Sequence, residues 1–275
     1  MVPLIGILQG RLTPSLDGRL QFFPKNSWQE EFFAAAKIGF DCIELLADQV
    51  GENPIWEDRG ADQVVSLCLE TGVIVDSIHG FYHRRSEYVA MLSRLIEQTA
   101  YIGARSILIP FFDGEVLDTQ QKFETAACSL HQAGLLCEKL DVYLGIEAEL
   151  ETERMQELLA LIGHRNVGIY YDIGNMASIG NNVAEEVKLF GNKIVGVHVK
   201  DRVAQGGKTV PLGTGCADFD AAFKGLAAVE YCGPLVLQPA RVPHKDDVAL
   251  QGEYLEFVRK KVTKYFTAKN KKKGL

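Results

Sequence analysis

The sequence predicts one (β/α)8 barrel, also called a TIM barrel, of the α/β class. Short β-branched runs alternate with longer amphipathic segments along all 275 residues, which is the pattern of repeated strand–helix units. Eight such units of roughly 34 residues match the size of this barrel. The turn after the first strand, residues 8–12 (LQGRL), holds neither GxGxxG nor a Walker motif, so nothing there indicates an open dinucleotide-binding sheet.

Each unit has a strand candidate followed by a helix candidate. The predicted strands are residues 4–8, 42–46, 73–78, 106–110, 142–147, 167–172, 194–199 and 235–237. The predicted helices are residues 28–38, 62–70, 87–102, 120–139, 153–162, 183–190, 219–229 and 252–266. Gly39 directly follows the first of these helices, and Gly72 lies two residues after the end of the second, as C-terminal glycines often do. No linker divides the chain, so we expect one domain over residues 1–267 and a basic, flexible tail over residues 268–275.

Charge and composition exclude several classes of protein. There are 29 Lys and Arg against 36 Asp and Glu, a net charge of −7, whereas nucleic-acid binding needs a basic surplus. Apolar runs are far shorter than the roughly 18 residues of a membrane span. The six cysteines form no CxxC pair, and most have aliphatic neighbours, as buried reduced thiols do. We therefore expect a cytoplasmic protein that binds neither nucleic acid nor membrane.

Polar residues gather where seven of the predicted strands end. They are Gln9, Glu44, His79, Glu147, Asp172, His198 and Gln238. In a (β/α)8 barrel these strand ends share one face, where catalytic groups lie. Carboxylates, imidazoles and amides together suit a divalent ion such as Mn²⁺, Mg²⁺, Co²⁺ or Zn²⁺. The sequence thus predicts a metal site at the mouth of the barrel.

Five of these residues also have a structural interpretation. Asp172 is an alternative cap for the next turn, Glu147 a buried ion pair, His198 a core residue and His79 a loop residue. Glu44 is either structural or substrate-binding. Glu149 has the same strand parity as Glu147 and is an alternative functional acid.

The loops after the seventh and eighth strands contain several basic residues and glycines. They hold Lys200, Arg202, Gly206, Gly207, Lys208, Gly213, Gly215 and Arg241. Barrels of this class often bind phosphate there, which favours a phosphorylated or carboxylated substrate. Arg84 and Arg85 after the third strand are a second possibility, and a solvated surface loop is the structural alternative.

Five segments together resemble one known family. They are residues 39–45 (GFDCIEL), 145–147 (GIE), 172–175 (DIGN), 197–201 (VHVKD) and 211–219 (PLGTGCADF). This combination resembles the sugar phosphate isomerase/epimerase group of xylose isomerase-like barrels. That group includes ketose 3-epimerases, L-ribulose-5-phosphate 3-epimerase-like enzymes, hydroxypyruvate isomerase and inosose dehydratase.

The resemblance implies a metal held by residues after strands five to eight. By position these are Glu147, Asp172, His198 and, where the family carries a Glu, Gln238. Asn175 stands where the epimerases often have His. Enzymes of this group commonly form dimers or tetramers, so a homo-oligomer is expected.

The substitution at Gln238 bears on the reaction. The two Glu residues of the resembled epimerases exchange protons on opposite faces of an enediolate. A Gln oxygen can ligate a metal, but Gln cannot carry that proton, so Glu147 or Glu149 is left as the only base. One base can move a proton between adjacent carbons on one face, which favours aldose–ketose isomerisation over C3 epimerisation.

Other functions stay open at this point. A dehydratase-like lyase would use the same ligands with His79 or Lys200 as the acid that expels water. A degenerate barrel that only binds a sugar or a partner is a second alternative. A phosphodiesterase of the AP-endonuclease type is disfavoured, because the chain has six histidines and is acidic.

Overall fold

The computed structural model describes residues 1–15, 18–48, 53–82 and 88–267. The predicted tail at 268–275 lies outside the described residues, as do Arg84 and Arg85. The described part contains a closed parallel barrel of eight strands, which confirms the predicted fold class. The assignment of residues 1–267 to one domain stays a proposal.

The described ranges contain ten strands and nine α-helices. The strands are β1 (Ile5–Leu8), β2 (Cys42–Leu46), β3 (Ile74–His79), β4 (Ser106–Phe111), β5 (Tyr143–Ala148), β6 (Val167–Asp172), β7 (Ile194–Val199), β8 (Asp201–Arg202), β9 (Thr209–Val210) and β10 (Leu235–Leu237). The helices are α1 (Glu30–Ile38), α2 (Asp58–Thr71), α3 (Tyr88–Ile102), α4 (Gln120–Leu140), α5 (Thr152–Ile162), α6 (Ile173–Ser178), α7 (Val183–Phe190), α8 (Phe219–Ala228) and α9 (Asp247–Val262). The barrel order is β1-β10-β7-β6-β5-β4-β3-β2, and β8 pairs with β9 in a separate antiparallel hairpin.

The start of the last helix differs from its prediction. Gly252 was expected to begin it, but α9 begins at Asp247 and Gly252 lies inside the helix. The side chain of Asp246 accepts a hydrogen bond from the backbone N–H of Ala249 at 2.8 Å, which is a standard N-terminal cap. The helix therefore begins at its cap, upstream of the glycine.

A small cluster fills the inside of the barrel, apart from the large core between the sheet and the outer helices. It consists of Leu8, Leu108, Tyr170 and Val236. The Tyr170 ring fits because its neighbours on β5 and β7 lack side chains. A Cβ at Gly196 would lie 2.2 Å from Cε2 of Tyr170, and one at Gly145 would lie 2.9 Å from the same ring. This layer forms the floor beneath the strand ends.

The segment between β1 and α1 is anchored over the mouth of the barrel. The buried Glu31 carboxylate accepts hydrogen bonds from the N–H groups of Gly10 at 2.7 Å and Leu12 at 3.0 Å. Burial raises the pKa of Glu31 to about 7. The buried Arg11 donates to the Leu20 carbonyl. These contacts hold the segment that carries Gln21 to the site.

No helix within the described ranges combines the length and the apolar character that a membrane span requires.

Candidate metal centre and active site

Three buried side chains at the ends of adjacent strands converge on one point. Glu147, Asp172 and His198 each offer a ligand atom, and these atoms lie within 4.8 Å of one another. His198 Nδ1 is 3.5 Å from Glu147 Oε2 and 3.9 Å from Asp172 Oδ2. Asp172 and His198 are direct register partners on β6 and β7. Parallel pairing of neighbouring strands thus builds the site.

Each of these residues, and Gln238 with them, is tethered through one polar atom. Glu147 Oε1 accepts from Asn175 Nδ2 at 3.0 Å, and Asp172 Oδ1 accepts from the Asn175 N–H at 2.8 Å. His198 Nε2 donates to Glu44 Oε1 at 2.8 Å. Gln238 Nε2 donates to Gln21 Oε1 at 3.2 Å. These contacts fix the orientation of all four side chains.

The second polar atom of each residue is buried without a hydrogen-bond partner in the described chain. These atoms are Glu147 Oε2, Asp172 Oδ2, His198 Nδ1 and Gln238 Oε1. Unpaired buried polar atoms are costly, and four at one site need a common explanation. Two carboxylate oxygens, an imidazole nitrogen and an amide oxygen are suitable ligands for a divalent cation. The donor set therefore fits a metal ion.

Electrostatics at the site agree with that fit. Burial raises the pKa of Asp172, and the nearby Glu147 carboxylate adds to the effect. Burial lowers the pKa of His198, but the carboxylates of Glu44 and Glu147 outweigh it and raise that pKa to about 10. The site therefore has a surplus of negative charge that favours a cation.

Glu44 lies beneath the metal centre, in the middle of β2. It is completely buried, and besides His198 it accepts hydrogen bonds from Ser77 Oγ at 2.7 Å and from the Tyr170 hydroxyl. Because both carboxylate oxygens bind protein groups, this position favours the structural alternative for Glu44. A carboxylate on the far nitrogen of a metal-binding His fixes its tautomer and ring orientation.

A cavity of about 650 Å³ opens above the centre. Its walls include Gln21, Leu46, Asp48, His79, Gly80, Phe81, Tyr82, Pro110, Phe112, Gly114, Glu115, Glu147, Lys200 and Gln238. Lys200 Nζ is 3.6 Å from Asp172 Oδ2. Polar groups beside an aromatic wall are typical of a small-molecule site.

His79 lies in this cavity next to the metal centre. Its ring stacks on that of His198 with 6.0 Å between centroids. Burial lowers the pKa of His79 to about 4. Its Nδ1 is 3.1 Å from the Gly80 carbonyl, which can only accept, so Nδ1 carries the proton and Nε2 faces Gln21 at 3.5 Å.

Four other predicted residues are directed elsewhere. Arg202 Nη1 donates to Glu149 Oε1 at 2.5 Å and to Asn175 Oδ1 at 2.9 Å, and its other nitrogens bind the Gly206 and Gly207 carbonyls. Glu149 lines a neighbouring pocket of about 330 Å³ rather than the main cavity. Arg241 donates to Thr13 and Gly10 carbonyls and pairs with Asp247 at 2.5 Å. Gln9 accepts from the Leu46 N–H at 3.0 Å.

Two residues of the site, Gln21 and Asp48, were not predicted from the sequence. Gln21 lies in the segment between β1 and α1, far from any strand end. Asp48 follows the end of β2 by two residues. It therefore lies at a strand end, as the predicted residues do, but beyond Glu44, the residue of β2 that was predicted.

Comparisons with known proteins agree with this architecture. The family model "Xylose isomerase-like TIM barrel" matches residues 32–261. L-ribulose-5-phosphate 3-epimerase UlaE of Escherichia coli strain SMS-3-5 is 25% identical over 261 residues, covering 86% of this chain and 90% of that protein. SgbU of E. coli strain K12, whose name assigns the same reaction provisionally, is 29% identical over 241 residues, covering 77% of this chain and 83% of that protein.

Solved structures share the fold at lower identity. A structure of L-ribulose 3-epimerase has a TM-score of 0.77 and 18% identity, covering 99% of this chain and 98% of the other. An IolI protein with a bound zinc atom has a TM-score of 0.75 and 18% identity, covering 96% of this chain and 99% of the other. With the barrel and the family model in agreement over most of the chain, this protein belongs to the xylose isomerase-like TIM barrel family.

Proposed function

We propose that this protein is a metal-dependent sugar or sugar-phosphate isomerase that works through an enediolate. One observation carries the proposal: four tethered side chains at neighbouring strand ends each keep a buried polar atom without a partner in the described residues, and two of them, Glu147 and Gln238, line a cavity that is large enough for a sugar. The names of the similar E. coli proteins support the same class of chemistry, since an epimerase is an isomerase.

Glu147, Asp172, His198 and Gln238 are the proposed ligands of Mn²⁺, Mg²⁺, Co²⁺ or Zn²⁺. When bound, such an ion polarises the substrate carbonyl and makes the neighbouring C–H acidic. Asn175 holds Glu147 through Oε1, and Arg202 in turn fixes the Asn175 amide through its oxygen. The Glu147 carboxylate is thereby held beside the cavity as the group that takes the proton.

Glu147 is favoured over Glu149 as the base. Glu147 is 2% exposed and lines the main cavity, whereas the Glu149 carboxylate is paired with Arg202. A general base has to reach the proton that it abstracts. Glu149 then serves to hold Arg202.

Gln238 determines the type of proton transfer that we propose. An amide does not take up and return a proton, so the position after β10 supplies a ligand and no base. Glu147 then returns its proton to the adjacent carbon on the same face. This favours aldose–ketose isomerisation over C3 epimerisation.

Lys200 is the proposed contact for an anionic or hydroxyl group of the substrate. It lines both the main cavity and the neighbouring pocket. Arg202 and Arg241 bind the protein's own carbonyls and carboxylates, so most of their donors are already used. The lone pair of His79 Nε2 faces the Gln21 amide, so His79 does not suit the role of acid in the lyase alternative.

Metal analysis and isotope exchange test this function. The purified protein should contain a divalent metal and should introduce solvent deuterium at the carbon next to the carbonyl of L-ribulose, L-ribulose 5-phosphate or a related ketose. No metal binding and no exchange with any ketose or ketose phosphate would overturn the proposal.

The variant Gln238→Glu tests the account of the missing base. Restoring a carboxylate after β10 should produce or increase epimerisation at C3, measured by NMR of the products. If the wild type already epimerises C3 and Gln238→Glu does not raise that rate, the one-base account is wrong.

We also propose that the protein forms a homodimer or homotetramer, which light scattering would test. We further propose that it is located in a reducing compartment such as the cytoplasm. The second proposal is supported by the cysteines, all six of which lie in the described ranges and are free.

A further inference from the structure

Two carboxylates of the cavity, those of Asp48 and Glu115, have no function in the reaction described so far. Asp48 lines the cavity together with Glu147, Lys200 and Gln238. Its Oδ1 is buried and has no hydrogen-bond partner in the part of the chain that is described. A carboxylate oxygen in that situation is costly unless a ligand uses it.

Asp48 lies on the opposite side of the mouth from the metal centre. The four proposed ligands come from the ends of β5, β6, β7 and β10, which are consecutive in the barrel. Asp48 follows β2, whose neighbours are β1 and β3. A sugar in the cavity would therefore lie between the metal ligands on one side and Asp48 on the other.

Other titratable groups of the cavity are less suited to a second proton transfer. Lys200 Nζ is 3.6 Å from Asp172, and the protonated nitrogen of His79 is turned to the Gly80 carbonyl. Glu115 Oε2 is also buried without a hydrogen-bond partner in the described residues, but Glu115 follows β4, next to the β5 strand that carries Glu147, and it interacts with other groups of the protein. Asp48 is thus the cavity carboxylate that combines a buried unpartnered oxygen with a position opposite the proposed ligands.

We propose that Asp48 is the second proton-transfer group of this site and carries the hydroxyl proton between the two substrate oxygens. The proposal rests on the isomerase function above. Isomerisation needs such a group, because the hydroxyl oxygen of one carbon becomes a carbonyl while the carbonyl oxygen of the next becomes a hydroxyl.

The protons balance in this scheme. Glu147 takes the C–H proton from the hydroxyl-bearing carbon, and the electron pair of that bond forms the C=C bond of the enediolate while the carbonyl oxygen becomes negative. Asp48 takes the proton of the neighbouring hydroxyl and gives it to that negative oxygen. Glu147 returns its proton to the former carbonyl carbon, so both carboxylates end as they began and no other reactant is needed.

The acidity of Asp48 agrees with this role. Burial raises the pKa of Asp48 to about 6, although Arg19 opposes the effect. A carboxyl with a pKa near the working pH both accepts and returns a proton efficiently. The raised pKa of Asp48 thus agrees with the role that its position in the cavity suggests.

The variant Asp48→Asn separates the two proton transfers. Glu147 should still remove the C–H proton, so deuterium exchange into L-ribulose or L-ribulose 5-phosphate should stay within a few-fold of the wild type. Net conversion to the aldose should fall about 100-fold, in the usual range for loss of a general acid–base group. The ratio of exchange to conversion is the diagnostic quantity, measured by NMR in deuterium oxide.

Glu115→Gln is the matched control, since it removes another carboxylate from the same cavity and should keep the wild-type ratio. Metal content and the melting temperature of Asp48→Asn show that the variant is folded and loaded. Unchanged conversion in Asp48→Asn, or an equal loss of exchange and conversion, would overturn the role of Asp48. Failure of the wild type to exchange with any ketose would instead overturn the proposed function.

Discussion

Glu44 shows how a side chain can serve a site that it does not line. Its carboxylate joins His198 of β7 to Ser77 of β3 and Tyr170 of β6. Since a carboxylate can only accept, Nε2 of His198 must carry the proton. In the neutral ring, the form that ligates a metal, the lone pair is then on Nδ1, the atom that faces Glu147 and Asp172.

At the residue scale, Glu44→Gln should weaken metal binding. The amide keeps the shape of the side chain but removes the charge that orients the imidazole and makes it more basic. We expect affinity for Mn²⁺ or Zn²⁺ to fall about 10- to 100-fold, measured by chelator competition or calorimetry.

Glu186→Gln is the control for a buried glutamate. Glu186 is 4% exposed and accepts from Thr152 and Tyr171 away from the metal centre. The Glu186→Gln variant should be less stable than the wild type but should bind the metal with unchanged affinity. Wild-type affinity in Glu44→Gln would contradict the orienting role.

Single residues were predictable from the sequence to different degrees. The strand-end rule predicted Glu147, Asp172 and His198, which the structure brings together, because parallel strands bring equivalent positions to one face. The same rule could not show that Arg202 and Arg241 bind protein carbonyls, or that Gln21 reaches Gln238. Those contacts depend on loop conformation, which leaves no periodic pattern.

At the element scale, the β8–β9 hairpin is held by a single buried carboxylate. Asp201 accepts from the N–H groups of Arg202 at 3.0 Å, Gly213 at 2.9 Å, Gly215 at 2.8 Å and Ala217 at 3.1 Å. A Cβ on Gly215 would lie 2.2 Å from Asp201 Oδ1, so the glycine allows this approach. The Gly-Thr-Gly part of the familiar motif thus anchors a loop.

Asp201→Asn should loosen that loop. The Nδ2 group cannot accept a hydrogen bond, so buried N–H groups lose their partner at a cost of about 2 kcal/mol. Faster proteolysis between residues 203 and 217 and a lower urea midpoint should follow.

Asp218→Asn is the matched control, because Asp218 lies directly before α8 and caps that helix instead of holding the loop. Asp218 caps α8 by accepting from Ala221 at 2.9 Å, and Asn caps about as well as Asp. Equal protease sensitivity of the two variants would contradict the anchoring role of Asp201.

The sequence predicted the bounds of several barrel strands correctly. β2, β6, β7 and β10 have the predicted bounds. The six-residue α6 and the two-residue strands β8 and β9 were not predicted, because they are too short for a period. α6 instead depends on its cap, Asp172, which accepts from Asn175.

At the scale of the whole molecule, metal should stabilise the fold. An ion at about 100 times its Kd adds about 2.7 kcal/mol to the free energy of unfolding. For a chain of this size that corresponds to a rise in Tm of about 5–10 °C. Thermal unfolding after chelation and after addition of Mn²⁺, Mg²⁺, Co²⁺ or Zn²⁺ measures it.

Asp172→Asn provides the control for this effect. It retains an oxygen for the α6 cap and removes charge from the site, so most of the metal-induced rise in Tm should disappear. An equal rise in the variant, or none with any of the four ions in the wild type, would contradict the proposed ligand set.

The separation of the site residues along the chain has a consequence for biosynthesis. The proposed ligands lie between residues 147 and 238, while Glu44, 154 residues before His198, comes from the first quarter of the barrel. A ribosome that adds about 5–20 residues per second therefore finishes the orienting carboxylate well before the imidazole that it orients. We therefore expect the nascent chain to bind the proposed ion only after β10 has paired with β1, in the last stage of maturation.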